Sequence, residues 1–210
     1  MNRQLEMDIC PVTPEQLSQI VCLHQQWFLS SGLEGCPADL SRADLRRASF
    51  ENQSLQYADL RGADLAGVNL LWADFSHARF DCATLGRSYL HGAKLVQSGF
   101  ACADLSEACL RGACLDGADL RGAILRGADC REASFCDADL RGADLRGALL
   151  DHAWFWKADL RGADLEGARL GGAMVMESDC RGVTGLDEEA LRSVAVDQLP
   201  LFDSPVPVGF

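Results

Sequence analysis

The sequence predicts an all-β solenoid, and two observations carry that prediction. From Ala38 to Gly182 every residue whose number is divisible by five is apolar: the centres Leu40 to Cys180 are twenty Leu, six Phe, two Cys and one Val. Two residues before each centre stands Ala in twenty-four of the twenty-nine units, the departures being Gln53, Val68, Ser88, Ser98 and Ser178. A period of five matches neither the 3.6 residues of a helical turn nor the 2.0 of a strand, so no continuous helix or long flat strand keeps these residues on one face. The chain must turn every five residues, and turns stacked on turns make a solenoid.

The elements divide the chain into residues 1–37, 38–182 and 183–210. In the first, Thr13-Pro14-Glu15-Gln16 offers an N-cap, a proline at the first helical position and a capping-box Gln. Leu17, Ile20, Val21, Trp27 and Phe28 then form one apolar stripe before Gly32, which predicts a capping helix over 14–31. In the repeat, a unit such as Ala63-Asp64-Leu65-Ala66-Gly67 points Ala and Leu one way and Asp the other, a short extended piece. Its last two residues are the corner, where Gly stands second in thirteen units and positive φ costs nothing. In the third segment Thr184-Gly185-Leu186-Asp187 opens a short helical pattern through Leu191 and Val194, and Pro200, Pro205 and Pro207 forbid its continuation.

Units such as Ala58-Asp59-Leu60-Arg61-Gly62 and Ala138-Asp139-Leu140-Arg141-Gly142 resemble the pentapeptide-repeat family, whose pattern is A(D/N)LXX, over residues 38–182 without a gap. The resemblance implies a right-handed quadrilateral β-helix with four units per coil, about seven coils here. At a strand spacing of about 4.8 Å the rod is roughly 35 Å long. Residues twenty apart then stack. Leu45, Leu65, Leu85, Leu105, Leu125, Leu145 and Leu165 become one structural core column, with Phe80 next to Phe100 and Phe135 next to Phe155.

With 210 residues, 48% hydrophobic and 24% charged, the chain suffices for one domain with a core. A net charge of −12 argues against a phosphate-binding surface, so direct nucleic-acid binding is not expected. No apolar run reaches membrane-spanning length, and the N-terminus lacks a secretory pattern. Ten cysteines without a CxxC pair fit the reducing cytoplasm better than a disulfide scaffold.

Catalytic and cofactor motifs are absent: there is no GxGxxG, Walker loop, HExxH or GxSxG. The expectation is a non-enzyme without cofactor or metal. The histidines at 24, 77, 91 and 152 fall on different columns and read as solvated surface residues. Cys82 and Cys102 share a corner column about 5 Å apart, with no third ligand in the pattern.

Two surfaces are candidates for function. Trp154, Trp156, Met174 and Met176 flank centres Phe155 and Val175 on one face, an apolar patch that marks an interface or is covered by residues 183–210. Leu71, Trp72, Tyr89 and Leu149 form a smaller, scattered set. Elsewhere Asp119, Asp139, Asp159 and Asp179 run beside Arg121, Arg141, Arg161 and Arg181, a band of alternating sign. The repeat holds 22 acids and 17 bases, so most of the excess charge lies in the flanks. The reading is a rigid protein-binding module or scaffold. The resemblance implies dimers joined at the C-terminal end. It also admits an alternative, a DNA mimic that binds DNA gyrase or topoisomerase IV, although the projecting loops of some such members have no counterpart in the unbroken run.

Overall fold

The computed structural model describes residues 10–186. Strand β1 (Cys10–Pro11) pairs in parallel with β2 (Ala43–Asp44), and helix α1 (Pro14–Leu29) lies between them in sequence. α1 starts where the cap predicts: the Thr13 hydroxyl accepts the Gln16 N–H, and the Gln16 side chain accepts the Thr13 N–H at 2.9 Å. It ends two residues before the expected 31, because Ser31 and Gly32 take positive φ. There the Ser30 hydroxyl donates to the Trp27 carbonyl and accepts the Glu34 N–H.

Leu17, Ile20 and Val21 pack on the core as the stripe requires, but two assignments are corrected. Phe28, although in line with Leu17, Val21 and His24 on the helix, is 42% exposed and does not join the core. His24, read as a solvated residue, is completely buried, because it follows Leu17, Ile20 and Val21 at helical spacing and so faces the first coil.

Beyond β2 the ladder continues as single-residue parallel bridges, each joining a residue to the one twenty further on, from Asp39 with Asp59 to Asp164 with Thr184. Twenty residues therefore make one coil of four units. The coil has four faces, numbered by their centres: face 1 through Leu40, face 2 through Leu45, face 3 through Phe50 and face 4 through Leu55.

One unit accounts for its own backbone. Leu60 N–H donates to Arg79 and Gly62 N–H to Asp81 in the next coil, Asp59 N–H donates back to Ala38, and Ala63 N–H closes the corner onto Leu60. That leaves the N–H of the residue after each centre, which a strand this short cannot pair. The Asp before the centre supplies the acceptor: Asp59 Oδ1 takes the Arg61 N–H at 3.2 Å, and Asp119, Asp139, Asp159 and Asp179 treat Arg121, Arg141, Arg161 and Arg181 alike. This is why Asp or Asn recurs at that position.

The second corner residue has positive φ in every unit from Arg42 to Gly182 except at Arg47. Glycine accounts for thirteen of these corners, and fifteen others hold side-chain-bearing residues at φ between 53° and 66°. The inward residues form one continuous buried core. The Leu column from Leu45 to Leu165 is at most 4% exposed. Phe80 stacks on Phe100 with ring centroids 4.7 Å apart, and Phe135 on Phe155 at 5.1 Å. Where Ser replaces the inward Ala, Ser98 and Ser178 donate to the Leu95 and Val175 carbonyls, whereas the Ser88 hydroxyl is buried without a hydrogen-bond partner. Gln53 departs from Ala because it meets Gln25 of α1, whose Nε2 donates to it at 3.4 Å. The expected short helix through Leu191 and Val194 and the proline-rich tail lie outside the described residues.

Candidate interaction surface

Faces 1 and 2 carry ladders of Asp–Arg ion pairs. On face 1, Arg121 donates through Nε and Nη2 to Asp119 at 2.7 and 2.6 Å, while its Nε also lies 3.7 Å from Asp139 of the next coil. Arg141 and Arg161 repeat this toward Asp159 and Asp179, each at 3.6 Å. The four Asp and four Arg thus form one continuous zipper. Hydrogen bonds from Arg121, Arg161 and Arg181 hold Asp119, Asp159 and Asp179 below the usual carboxylate range. Face 2 does the same with Asp144, Arg146 and Asp164. Each bridge is half-exposed and contributes little to stability. Its effect is to cancel charge in place.

Faces 3 and 4 differ. Every large apolar side chain that the described repeat exposes lies on them or on the corners that follow them: Tyr57, Trp72, Tyr89, Trp154 and Trp156. So do ten of the fifteen side-chain-bearing positive-φ corners, Asn52, Tyr57, Trp72, His77, Gln97, Glu132, Asp137, His152, Lys157 and Glu177. A left-handed backbone costs such a residue about 1 kcal/mol or more, so conformational strain gathers on the same side as the aromatics.

Trp154 and Met174 are bridge partners in adjacent coils, half-exposed and partly exposed respectively. Trp156 and Met176 stand two residues on, again partly exposed. The Trp156 indole donates to Glu177 at 3.3 Å, and Lys157 Nζ lies 4.2 Å from the Trp156 ring and 3.8 Å from Glu177. An apolar centre with a polar rim results. Toward the other end, Trp72 lies flat over Gly92 with its edge to His91, ring centroids 4.8 Å apart, and Tyr57 stacks on His77 at 4.6 Å.

The scattered set does not assemble. Leu149 bridges Asp129 and Arg169, three coils from Tyr89, so it joins neither Trp72 nor Leu71. Tyr57, His77 and His91 belong to this side although the sequence reading left them out. Their signal was a bulky residue at or beside a corner where consensus units carry Gly.

Cys82 and Cys102 occupy stacked corners and are exposed, whereas burial pushes the Cys180 thiol to about 11 and raises that of Cys130 further. Among the described residues no group of three or more His, Cys, Asp or Glu is placed to hold a metal ion. None of their helices is long and apolar enough to cross a membrane.

A family model described as pentapeptide repeats matches in eight copies, over residues 43–81, 73–117, 113–151 and 143–179. No curated protein matches the sequence. Among solved structures, trypsin-treated QnrB1, a plasmid-mediated fluoroquinolone resistance protein, superimposes with a TM-score of 0.58 at 20% identity, covering 73% of this chain and 84% of that one. Full-length QnrB1 gives 0.51 at 19%, covering 76% and 88%. HetL, involved in heterocyst differentiation regulation in the cyanobacterium Nostoc sp. strain PCC 7120, is 30% identical over 71% of this chain and 85% of its own, with a TM-score of 0.33. The QnrB1 likeness is one of fold.

Proposed function

Because the chain belongs to the pentapeptide-repeat family, we propose that it is a non-catalytic, rigid protein-binding module that presents faces 3 and 4 to a protein partner in the cytoplasm. The three segments take separate roles in this reading: residues 1–37 cap the rod, 38–182 form the family's right-handed β-helix, and 183–210 close its other end. One observation carries the proposal, the confinement of every large exposed apolar side chain of the described repeat to one side of the rod. The inward columns are taken up by the core, which leaves the outer faces for binding, and rigid presentation of Trp and Met is what an interface hot spot requires. Trp154, Trp156, Met174 and Met176 are the centre of that surface, close enough to the C-terminal end to serve a homodimer as well.

A second reading draws on the fold likeness to QnrB1 and on the net charge of −12: a DNA-like rod that engages gyrase or topoisomerase IV. The zipper opposes it, since DNA presents phosphates of one sign and face 1 alternates Asp with Arg. The test is affinity capture from the source lysate with the intact protein and with a Trp154→Ser/Trp156→Ser variant of unchanged circular dichroism. A partner lost in the variant supports the module, and a lower mass in light scattering assigns that partner as a second copy. Salt-sensitive recovery of a topoisomerase subunit by both proteins supports the second reading instead.

A further inference from the structure

His24 is the one buried histidine of the described chain, and nothing in the binding surface uses it. Its Nδ1 accepts the Ala38 N–H at 3.0 Å, joining α1 to the first residue of the first coil. Its Nε2 is buried without a hydrogen-bond partner. The Trp27 ring packs against it at 5.6 Å and meets Tyr57 of the first coil edge-on at 6.3 Å. The loop after α1 closes the site from the other side, with Cys36 N–H bonded to the Leu23 carbonyl and Gly35 so close to Leu23 and Trp27 that no Cβ would fit.

This arrangement accepts only a neutral ring. The Ala38 amide is an obligate donor, so Nδ1 must carry a lone pair, and the single proton must sit on Nε2. Protonating Nδ1 would set two donors against each other and leave a cation in an apolar site. The titratable groups on the elements around the ring are Cys36 and Glu34 on the loop, Asp39 beside Ala38, Tyr57 on the first coil with His77 stacked behind it, Arg42, Asp44, Arg46, Arg47 and Glu51 further along that coil, and Glu15 and Cys22 on α1 itself. None of them offsets that charge: desolvation is the cause that acts on His24, and it lowers the pKa from 6.5.

We propose that His24 is a protonation-sensitive latch that holds α1 on the first coil and releases it on acidification. The sign follows from linkage. The docked ring has the lower pKa, so the undocked state binds the extra proton, and docking is at full strength above pH 6.5 and weakens as pH falls below it. Opening becomes easier by up to about tenfold per pH unit over that range. α1, whose Leu17, Ile20 and Val21 pack on the core, covers the N-terminal end of the coil stack, so its release uncovers that end.

Hydrogen exchange of the full chain tests this, after correction for intrinsic exchange rates. Between pH 7.5 and 5.5, protection of residues 14–29 should fall about tenfold while residues 100–160 hold theirs. His24→Gln, which keeps an acceptor for Ala38 but does not titrate, should abolish the fall, and His77→Gln should leave it intact. Equal protection at both pH values, the same fall in His24→Gln, or its loss in His77→Gln would each overturn the latch. Should His24→Gln fail to dock α1 at all, an NMR titration of the native protein decides: the His24 ring must titrate below 6.5 with the Ala38 amide following it, and a silent Ala38 amide or a higher value rejects the idea.

Discussion

At the scale of one residue, the corner decides how much each glycine matters. Gly92 and Gly112 have nearly the same backbone, φ +64 and +63, but a Cβ on Gly92 would fall 2.2 Å from two carbons of the Trp72 ring, whereas one on Gly112 would meet open space. Gly112→Ala should therefore cost only the left-handed strain, about 1 kcal/mol. Gly92→Ala should cost roughly 2 kcal/mol more, because the indole has to leave its seat. Chemical denaturation of both variants checks this, and equal losses would show that Trp72 does not depend on Gly92. The same scale explains the error over His24. Its spacing from Leu17, Ile20 and Val21 was readable, but a polar residue in an apolar stripe has to be assigned by what its nitrogens can bond, and Ala38 is fourteen residues away.

At the scale of the element, the unit was almost wholly legible. Its information lies in one dimension: an apolar residue every fifth place fixes register, and register fixes which side chains face inward. The N-terminus of α1 was equally plain, since the side chains of Thr13 and Gln16 each bond the other's backbone within four residues of sequence. The C-terminus of α1 was not, because it depends on Ser30 and Glu34 finding each other after the chain has turned. Contacts of the outward side chains were half legible. Columns follow from arithmetic, which brought Trp154 onto Met174, but the lean of a ring over the next coil depends on rotamers and corner conformation. Leu125→Asp tests the register directly. Leu125 is completely buried in an unbroken column, and an unpaired carboxylate there should lower stability by roughly 4 kcal/mol. A thermal midpoint like that of the native protein would mean that the inward column has been misassigned.

At the scale of the whole molecule, the rod is a device for holding different chemistries apart. One side neutralises itself through Asp and Arg, and the other carries the aromatics, the methionines and most of the strained corners. Neither could serve as a binding surface if the coils slid or frayed, and the bonds from each unit to both neighbouring coils prevent that.

The bridge spacing of twenty residues also gives every side chain an angular address. Remove twenty residues, 101–120 for instance, and all that follows moves about 4.8 Å toward the N-terminus while pointing in its old direction. Remove only five, 116–120, and everything beyond is rotated by a quarter turn, so that Trp154 and Trp156 come to lie where face 3 had been. Spin labels at positions 57 and 157, on one corner column in the native chain, would register the first change as a shorter distance and the second as a departure from the column. In such a protein, repeat number is a dial as much as a length: insertions and deletions of single units re-aim the binding surface without touching any residue in it.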